Sequence, residues 1–345
     1  MQPTTKQVWI DNLRALATIG VVLLHSSGDT VLLFGKIPAG DWWIGDIYSG
    51  AVRYSVPIFI MLTGVLLLGK EYSLGVFFRK RFTRVLTPFL FWSLIYIAFD
   101  FWDKAKNGEN ILSFDSLDYI LEKLQYGASF HFWYIYMLIG LYLFIPILGK
   151  WARNCTEKEM LYFLGIWLCA VVLEQPYFSD FHMEIDIANF SGRMGYLVLG
   201  YYLANKSIKP KTNNIVAATC IIIGIVITII GTGMISFGEK SFNEMLYENL
   251  SPNVILFTIG VFLFFRKLEI TNPLVIKLRN VISKYSFGIY LVHMLVLRYL
   301  VEINIHWNTV HPGLLIPVLA LLCLTISTAI IYGLNKLPYG KYFAG

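Results

Sequence analysis

The feature that most constrains this chain is its series of apolar blocks, each about as long as a membrane is thick. A helix rises about 1.5 Å per residue, so crossing about 30 Å of hydrocarbon takes about 20 consecutive apolar residues. Ten segments meet or approach this length, near residues 13–34, 51–69, 85–102, 132–149, 159–175, 190–205, 213–232, 251–266, 285–303 and 313–333. The sixth is the weakest, being short and holding Arg193 and several glycines. The blocks are continuous rather than alternating, which excludes a half-buried sheet. Only 14% of the residues are charged, against about 25% for a soluble domain. The expected fold is therefore all-α: a polytopic membrane protein with about ten transmembrane helices. The longest gap, about 103–131, is too short to bury a core of its own, so residues 1–345 are expected to form a single integral-membrane domain. The first apolar run is too long, and too interrupted by Arg14, to read as a cleaved signal peptide.

Charge placement tests this segmentation. With the N-terminus inside, the cytoplasmic segments and helix ends hold 20 Lys/Arg and 5 Asp/Glu, and the opposite side holds 8 and 17. That Lys/Arg bias orients the chain with both N- and C-termini cytoplasmic. The net charge of +6 is then mostly topology and gives no argument for nucleic acid. Cys155, Cys169, Cys220 and Cys323 have no metal-ligand spacing, so neither zinc nor disulfides are expected.

Against this background, ionisable residues inside the spans stand out, because they are expensive in hydrocarbon and default to function. Arg14 and His25 are eleven residues apart in the first span. Eleven helical steps return to within roughly 20° of the same face and rise about 16 Å. One face thus carries a fixed cation near the cytoplasmic boundary and, far along it, an imidazole able to exchange protons near neutral pH. Asp29, one turn beyond His25, is placed to hold the ring's other N–H, although a solvated residue past the helix end is the competing reading. Without His25, Arg14 reads as a snorkelling positive-inside residue.

Other positions carry weaker signals. Arg79-Lys80-Arg81-Phe82-Thr83-Arg84 suits the phosphates of a nucleotide-like ligand, with lipid-headgroup attraction as the competing reading. Arg81 and Arg84 share a helix face. Arg53-Tyr54-Ser55-Val56-Pro57 opens the second span and marks either an interface or an outer cavity beside His25. His131-Phe132-Trp133 fits either an interface anchor or a sugar-like acceptor contact. His293 falls near the midplane, where a structural polar network is the simpler reading, and Arg298 and Glu302 are spaced to pair along the helix. Residues 73–84 and 114–124 have the periodicity of interfacial helices on the inner and outer faces. Trp42, Trp43, Tyr126, Trp133, Tyr177 and Trp307 read as interface aromatics.

Taken in order, these segments resemble the acyltransferase 3 family of integral-membrane acyltransferases. The resemblance covers nearly the whole chain. Its parts are Arg14 and His25, Ser55 through Gly64, Arg81-x-x-Arg84, His131-x-Trp133, and Tyr285-Ser-Phe-Gly-Ile-Tyr-Leu-Val-His293. Thr63 stands where many members have Ser. The chain looks most like the single-domain branch that includes the enterobacterial common antigen O-acetyltransferase.

The resemblance implies an O-acyltransferase of the bacterial cytoplasmic (inner) membrane. It would move an acyl group, usually acetyl, from cytoplasmic acyl-CoA (acetyl-CoA) to a hydroxyl of an envelope glycan or lipid-linked sugar, with no metal cofactor. His25 would be the general base. Arg14, Arg79, Lys80, Arg81 and Arg84 would contact the donor, while Arg53, His131, Trp133 and Asp29 would face the acceptor. Direct transfer is favoured over an acyl-enzyme because no Ser-His-Asp set is evident. The alternative is a transporter or flippase of a lipid-linked glycan, since buried His and Arg also serve translocation paths. No inverted repeat supports that alternative.

Overall fold

The computed structural model describes residues 5–108, 114–178, 190–207, 209–303 and 310–345. These residues form helices and turns, with no strand among them. The helices are α1 Thr5–Leu32, α2 Ala39–Gly50, α3 Ser55–Leu67, α4 Leu74–Lys106, α5 Phe114–Tyr126, α6 Trp133–Asn154, α7 Glu157–Leu173, α8 Met194–Asn205, α9 Pro210–Val226, α10 Thr232–Glu239, α11 Pro252–Lys267, α12 Pro273–Glu302 and α13 Pro312–Leu334. A five-residue π-turn, Ile227–Gly231, joins α9 to α10 without a break. Among the described residues, eight stretches are long and apolar enough to cross a membrane, and the molecule is an all-α polytopic membrane protein.

The sequence signals explain where the helices begin. Proline opens α9, α11, α12 and α13, where its missing N–H costs nothing and its fixed φ suits the first turn. Asn272 caps α12 by accepting from the backbone N–H groups of Leu274 and Val275. Thr156 and Glu159 close a reciprocal capping box on α7.

Three expectations need correction. The fifth and sixth expected spans appear as α7 and α8, which have 17 and 12 residues; both are helices, but neither meets the length of the other eight. Residues 73–84 are not a separate interfacial helix. They form the first turns of α4, which runs 33 residues through Pro88. Residues 39–50, left outside the expected spans, are helix α2, and one candidate span covers Ala39–Leu67 with a turn inside it. Trp42 is consequently no interface anchor. It is 1% exposed and donates its indole N–H to the Val31 carbonyl of α1. A helix is present where one was expected at 114–124, as α5. Trp307 lies outside the described residues.

Helix α1 is the hub. It packs against α2, α3, α11, α12 and α13. Around it, α3 pairs with α8, α9 with α11, and α12 with α13. The α3–α8 crossing depends on two glycines. A Cβ on Gly64 would lie 2.0 Å from the Leu197 carbonyl oxygen, and one on Gly200 would lie 2.3 Å from that of Met61. Small residues let membrane helices approach closely, so the glycine that ends the Ser55–Gly64 segment serves packing rather than chemistry.

Polar side chains also tie the helices together. Arg298 of α12 pairs with Asp100 of α4 at 2.8 Å, rather than with Glu302 as the spacing allowed, and Asp100 also accepts from Tyr119 of α5 at 2.9 Å. Gly64→Val is expected to destabilise the protein by several kcal/mol, since a backbone carbonyl cannot yield to the new methyls. Gly28→Ala, with nothing within 4 Å of the added atom, should leave stability unchanged or slightly raised. Thermal unfolding of the two variants in detergent checks the contrast.

Candidate active site

The turn at residues 51–54 interrupts the α2–α3 span beside the second half of α1. Irregular backbone is tolerated at membrane depth where it lines a cavity or is buried in protein. Here it borders a cavity of about 420 Å³, whose wall includes His25, Arg53, His131, Trp133, Arg193 and Tyr247. Glu244 and Glu248, just before α11, complete a mixed-charge rim.

His25 does not act alone in this wall. Its ring centre lies 5.1 Å from that of His293 on α12 and 6.4 Å from that of His131, while His131 and His293 are 5.0 Å apart. His293 is fully buried and His131 is 1% exposed. The His293 Nδ1–H donates to the Tyr290 carbonyl at 2.7 Å; a carbonyl only accepts, so this bond fixes the tautomer. The His131 Nδ1 meets the Ser129 hydroxyl at 2.9 Å. The Tyr290 hydroxyl donates to the His131 carbonyl, tying α12 to the corner before α6. The Nε2 atoms of both His131 and His293 are buried without a partner.

Arg53 is held from two sides. Its Nη2 donates to Ser49 at 2.6 Å, and its guanidinium lies over the Tyr247 ring, 3.6 Å from the centre. The Tyr247 hydroxyl donates to the carboxylate of Asp46, which is itself fully buried. This arrangement leaves the Arg53 Nε–H buried and unspent. Across the cavity, Arg193 lies over the Trp133 ring, 5.1 Å from its centre, and its Nε–H is also unspent. The site thus offers two fixed cations, aromatic faces and an imidazole. That combination can bind a polar, ring-shaped molecule and move a proton at one of its hydroxyls.

The cavity continues inward. A narrow pocket of about 90 Å³ shares Val21, Val56, Tyr134 and Tyr290 with it and reaches Arg14. Arg14 donates to Asp11 at 2.9 Å and to Ser283 of α12 at 3.1 Å. It is therefore both anchored and on the path. The charges of Arg14 and Arg84 lie close enough to interact. Arg84 in turn lines a groove of about 660 Å³ with Arg79, Lys80 and Lys341.

The expected residues therefore separate into places. His25, Arg53, His131 and Trp133 share the cavity, and Arg79, Lys80 and Arg84 share the groove. Arg14 sits between. Arg81 turns away from the groove toward the Tyr72 hydroxyl at 3.3 Å. Asp29 is exposed, is no part of the cavity wall, and makes no bond to His25. His293, read as a structural polar residue, belongs to the histidine cluster. Arg193 gave only a weak polar signal in the sequence, and Tyr247, Glu244, Glu248 and Lys341 escaped the sequence reading because each lies in a segment without a motif.

Outside the membrane-spanning helices, Lys206 and Tyr202 bond to Glu157 and hold its carboxyl below the usual range. This exposed cluster is remote in character from the cavity chemistry and ties the end of α8 to the start of α7.

Comparison with known proteins bears on this layout. The acyltransferase 3 family, described as an acyltransferase domain, matches residues 7–333. The chain is 24% identical over 357 residues to the "Putative membrane-bound acyltransferase YfiQ" of Bacillus subtilis (strain 168), covering 96% of this chain and 92% of that one. It is also 24% identical over 301 residues to the "Putative acetyltransferase ORF330" of Acidianus two-tailed virus, covering 83% and 82%. No solved structure matches significantly.

The Arg53 support yields a prediction. Tyr247→Phe removes the donor to buried Asp46, which should cost about 1–3 kcal/mol of stability. Thermal unfolding checks this; an unchanged Tm would mean that the Asp46–Tyr247 bond does not carry the Arg53 platform.

Proposed function

The chain belongs to the acyltransferase 3 family, and from that premise we propose that it is an O-acyltransferase using acyl-CoA as donor and a hydroxyl of an envelope glycan or lipid-linked sugar as acceptor. The observation that carries this reading is the polar, aromatic cavity at His25 adjoining a narrow pocket at Arg14, with a basic groove at Arg84, whose charge acts on Arg14.

In this reading the phosphates of acyl-CoA lie against Arg79, Lys80 and Arg84, with Lys341 of the C-terminal segment beside them. Guanidinium forks match phosphate oxygens, and the Lys/Arg bias assigns this groove to the cytoplasm. The pantetheine arm is flexible and largely apolar along its length, which suits the narrow pocket past Arg14, Phe59 and Tyr134. The thioester then meets the acceptor at His25. The acceptor enters the wider cavity, where Trp133 and Tyr247 offer faces for a sugar and the Arg53 and Arg193 donors offer hydrogen bonds.

His25 takes the proton of the acceptor hydroxyl as its oxygen attacks the thioester carbonyl. The carbonyl oxygen gains charge, and the unspent Arg53 Nε–H is a donor available to it. The C–S bond then breaks, and the proton held by His25 passes to the departing sulfur, leaving ester and free thiol. The aromatic walls limit water and so limit thioester hydrolysis. The printed name of the viral relative supports acetyl as the group moved. The bacterial cytoplasmic membrane is the proposed location.

Labelled acetyl-CoA supplied with candidate glycans tests the proposal. Label should appear in an alkali-labile ester on the glycan; acceptor crossing a vesicle without label would indicate transport instead. His25→Ala should lower transfer by about 10²–10⁴-fold, the usual range for a general base, with donor binding intact. Arg84→Ala should raise the KM for acetyl-CoA about tenfold by loss of a charged hydrogen bond, with kcat little changed. An unchanged KM would remove the groove as the donor site.

A further inference from the structure

His293 lies behind His25 rather than in the cavity wall, and the proposed chemistry does not use it. Its ring is fully buried. With Nδ1–H given to the Tyr290 carbonyl, its Nε2 is a bare acceptor, and no protein group within the described residues satisfies it. A buried acceptor left unpaired is costly, so a partner is expected.

The surrounding elements offer few donors. From α12 itself, the Tyr290 hydroxyl is spent on the His131 carbonyl. From α13, the Cys323 thiol faces the His293 carbonyl oxygen at 3.3 Å. From α4, the Tyr96 hydroxyl donates to the Leu291 carbonyl and accepts from the Leu295 N–H. Arg53 is held by Ser49 and Tyr247, with Glu244 and Glu248 nearby, and Arg193 lies on Trp133. What remains beside His293 is two imidazoles. Two rings joined by an N–H···N bond of about 2.9 Å have centres roughly 5 Å apart. The 5.1 Å between His25 and His293 matches that separation, so a small turn of either ring closes a bond that the structure leaves open.

We infer that His293 is a positioning residue whose Nε2 accepts the N–H of His25, so that the other nitrogen of His25 is held bare toward the cavity. It takes the place that the i+4 spacing of Asp29 offered. A neutral acceptor differs from a carboxylate here. It fixes the tautomer without stabilising a permanent imidazolium, so His25 releases its proton readily to the leaving thiolate. Among the described residues, His131 is the only other imidazole in reach of the same acceptor, at 5.0 Å between centres.

This inference rests on His25 being the base, and its test includes a readout that does not need catalysis. The protein is labelled with ¹⁵N-histidine and studied in detergent, with His25 assigned from the signals lost in His25→Ala. His25 should show one tautomer in the wild type, a mixture in His293→Leu, and one tautomer again in His293→Gln, whose amide oxygen restores an acceptor. In turnover, His293→Leu should lower kcat about 10–100-fold, the usual cost of losing such an orienting partner. Donor KM should stay within about twofold, and His293→Gln should recover most of the loss. Unchanged His25 signals in His293→Leu, or equal kcat for Leu and Gln, would overturn the inference. If the tautomer responds as stated while no acyl transfer is found, the His25–His293 pairing stands and the proposed function falls.

Discussion

Hydrocarbon offers polar groups no hydrogen-bond partner, and much of this structure follows from that. Each ionisable side chain inside the bundle must find its partner on another part of the protein or line a cavity. Arg14 finds Asp11 and Ser283. Arg298 finds Asp100. Arg53 finds Ser49 and the face of Tyr247, which in turn holds Asp46. These links join α1 to α12, α12 to α4, and the α2–α3 turn to the segment before α11. The groups that break the pattern are as informative. Among the described residues, the Nε atoms of Arg53, Arg193 and Arg81 and the Nε2 atoms of His131 and His293 remain unspent, and those of Arg53, Arg193 and His131 belong to residues of one cavity wall.

The centre of the arrangement is α1. It touches five other helices and carries both ends of the proposed path on one face. Because α12 packs along it, Ser283 meets Arg14 near one end while His293 meets His25 farther along. A single helix pair therefore supports both the Arg14 anchor and the proposed base. The glycine contacts between α3 and α8 hold the opposite wall close.

Much of this was legible in the sequence. Apolar run length gave the all-α membrane architecture, since few sequences of this kind fold otherwise. The eleven-residue spacing put Arg14 and His25 on one face of α1, because helix periodicity alone decides that, and they line adjoining spaces. What depends on tertiary packing was not legible. Arg81 and Arg84 are neighbours on a helix face, yet Tyr72 draws Arg81 aside. Asp29 has ideal spacing from His25, yet its side chain is exposed. His293 lies 268 positions after His25 in the chain, and no local pattern connects them. Residues 39–50 combine two tryptophans, two aspartates and three glycines, and they stay outside the expected spans until Trp42 is seen buried against α1.

The central claim is directional: a donor held at the basic groove reaches past Arg14 to His25. The most direct measurement is a cryo-EM structure of the protein with a non-transferable acyl-CoA analogue. The account predicts phosphate density against Arg79, Lys80 and Arg84, and the acyl carbonyl within hydrogen-bonding reach of the cavity at His25. Density for the analogue elsewhere, or a carbonyl that ends far from His25 with the groove empty, would contradict it.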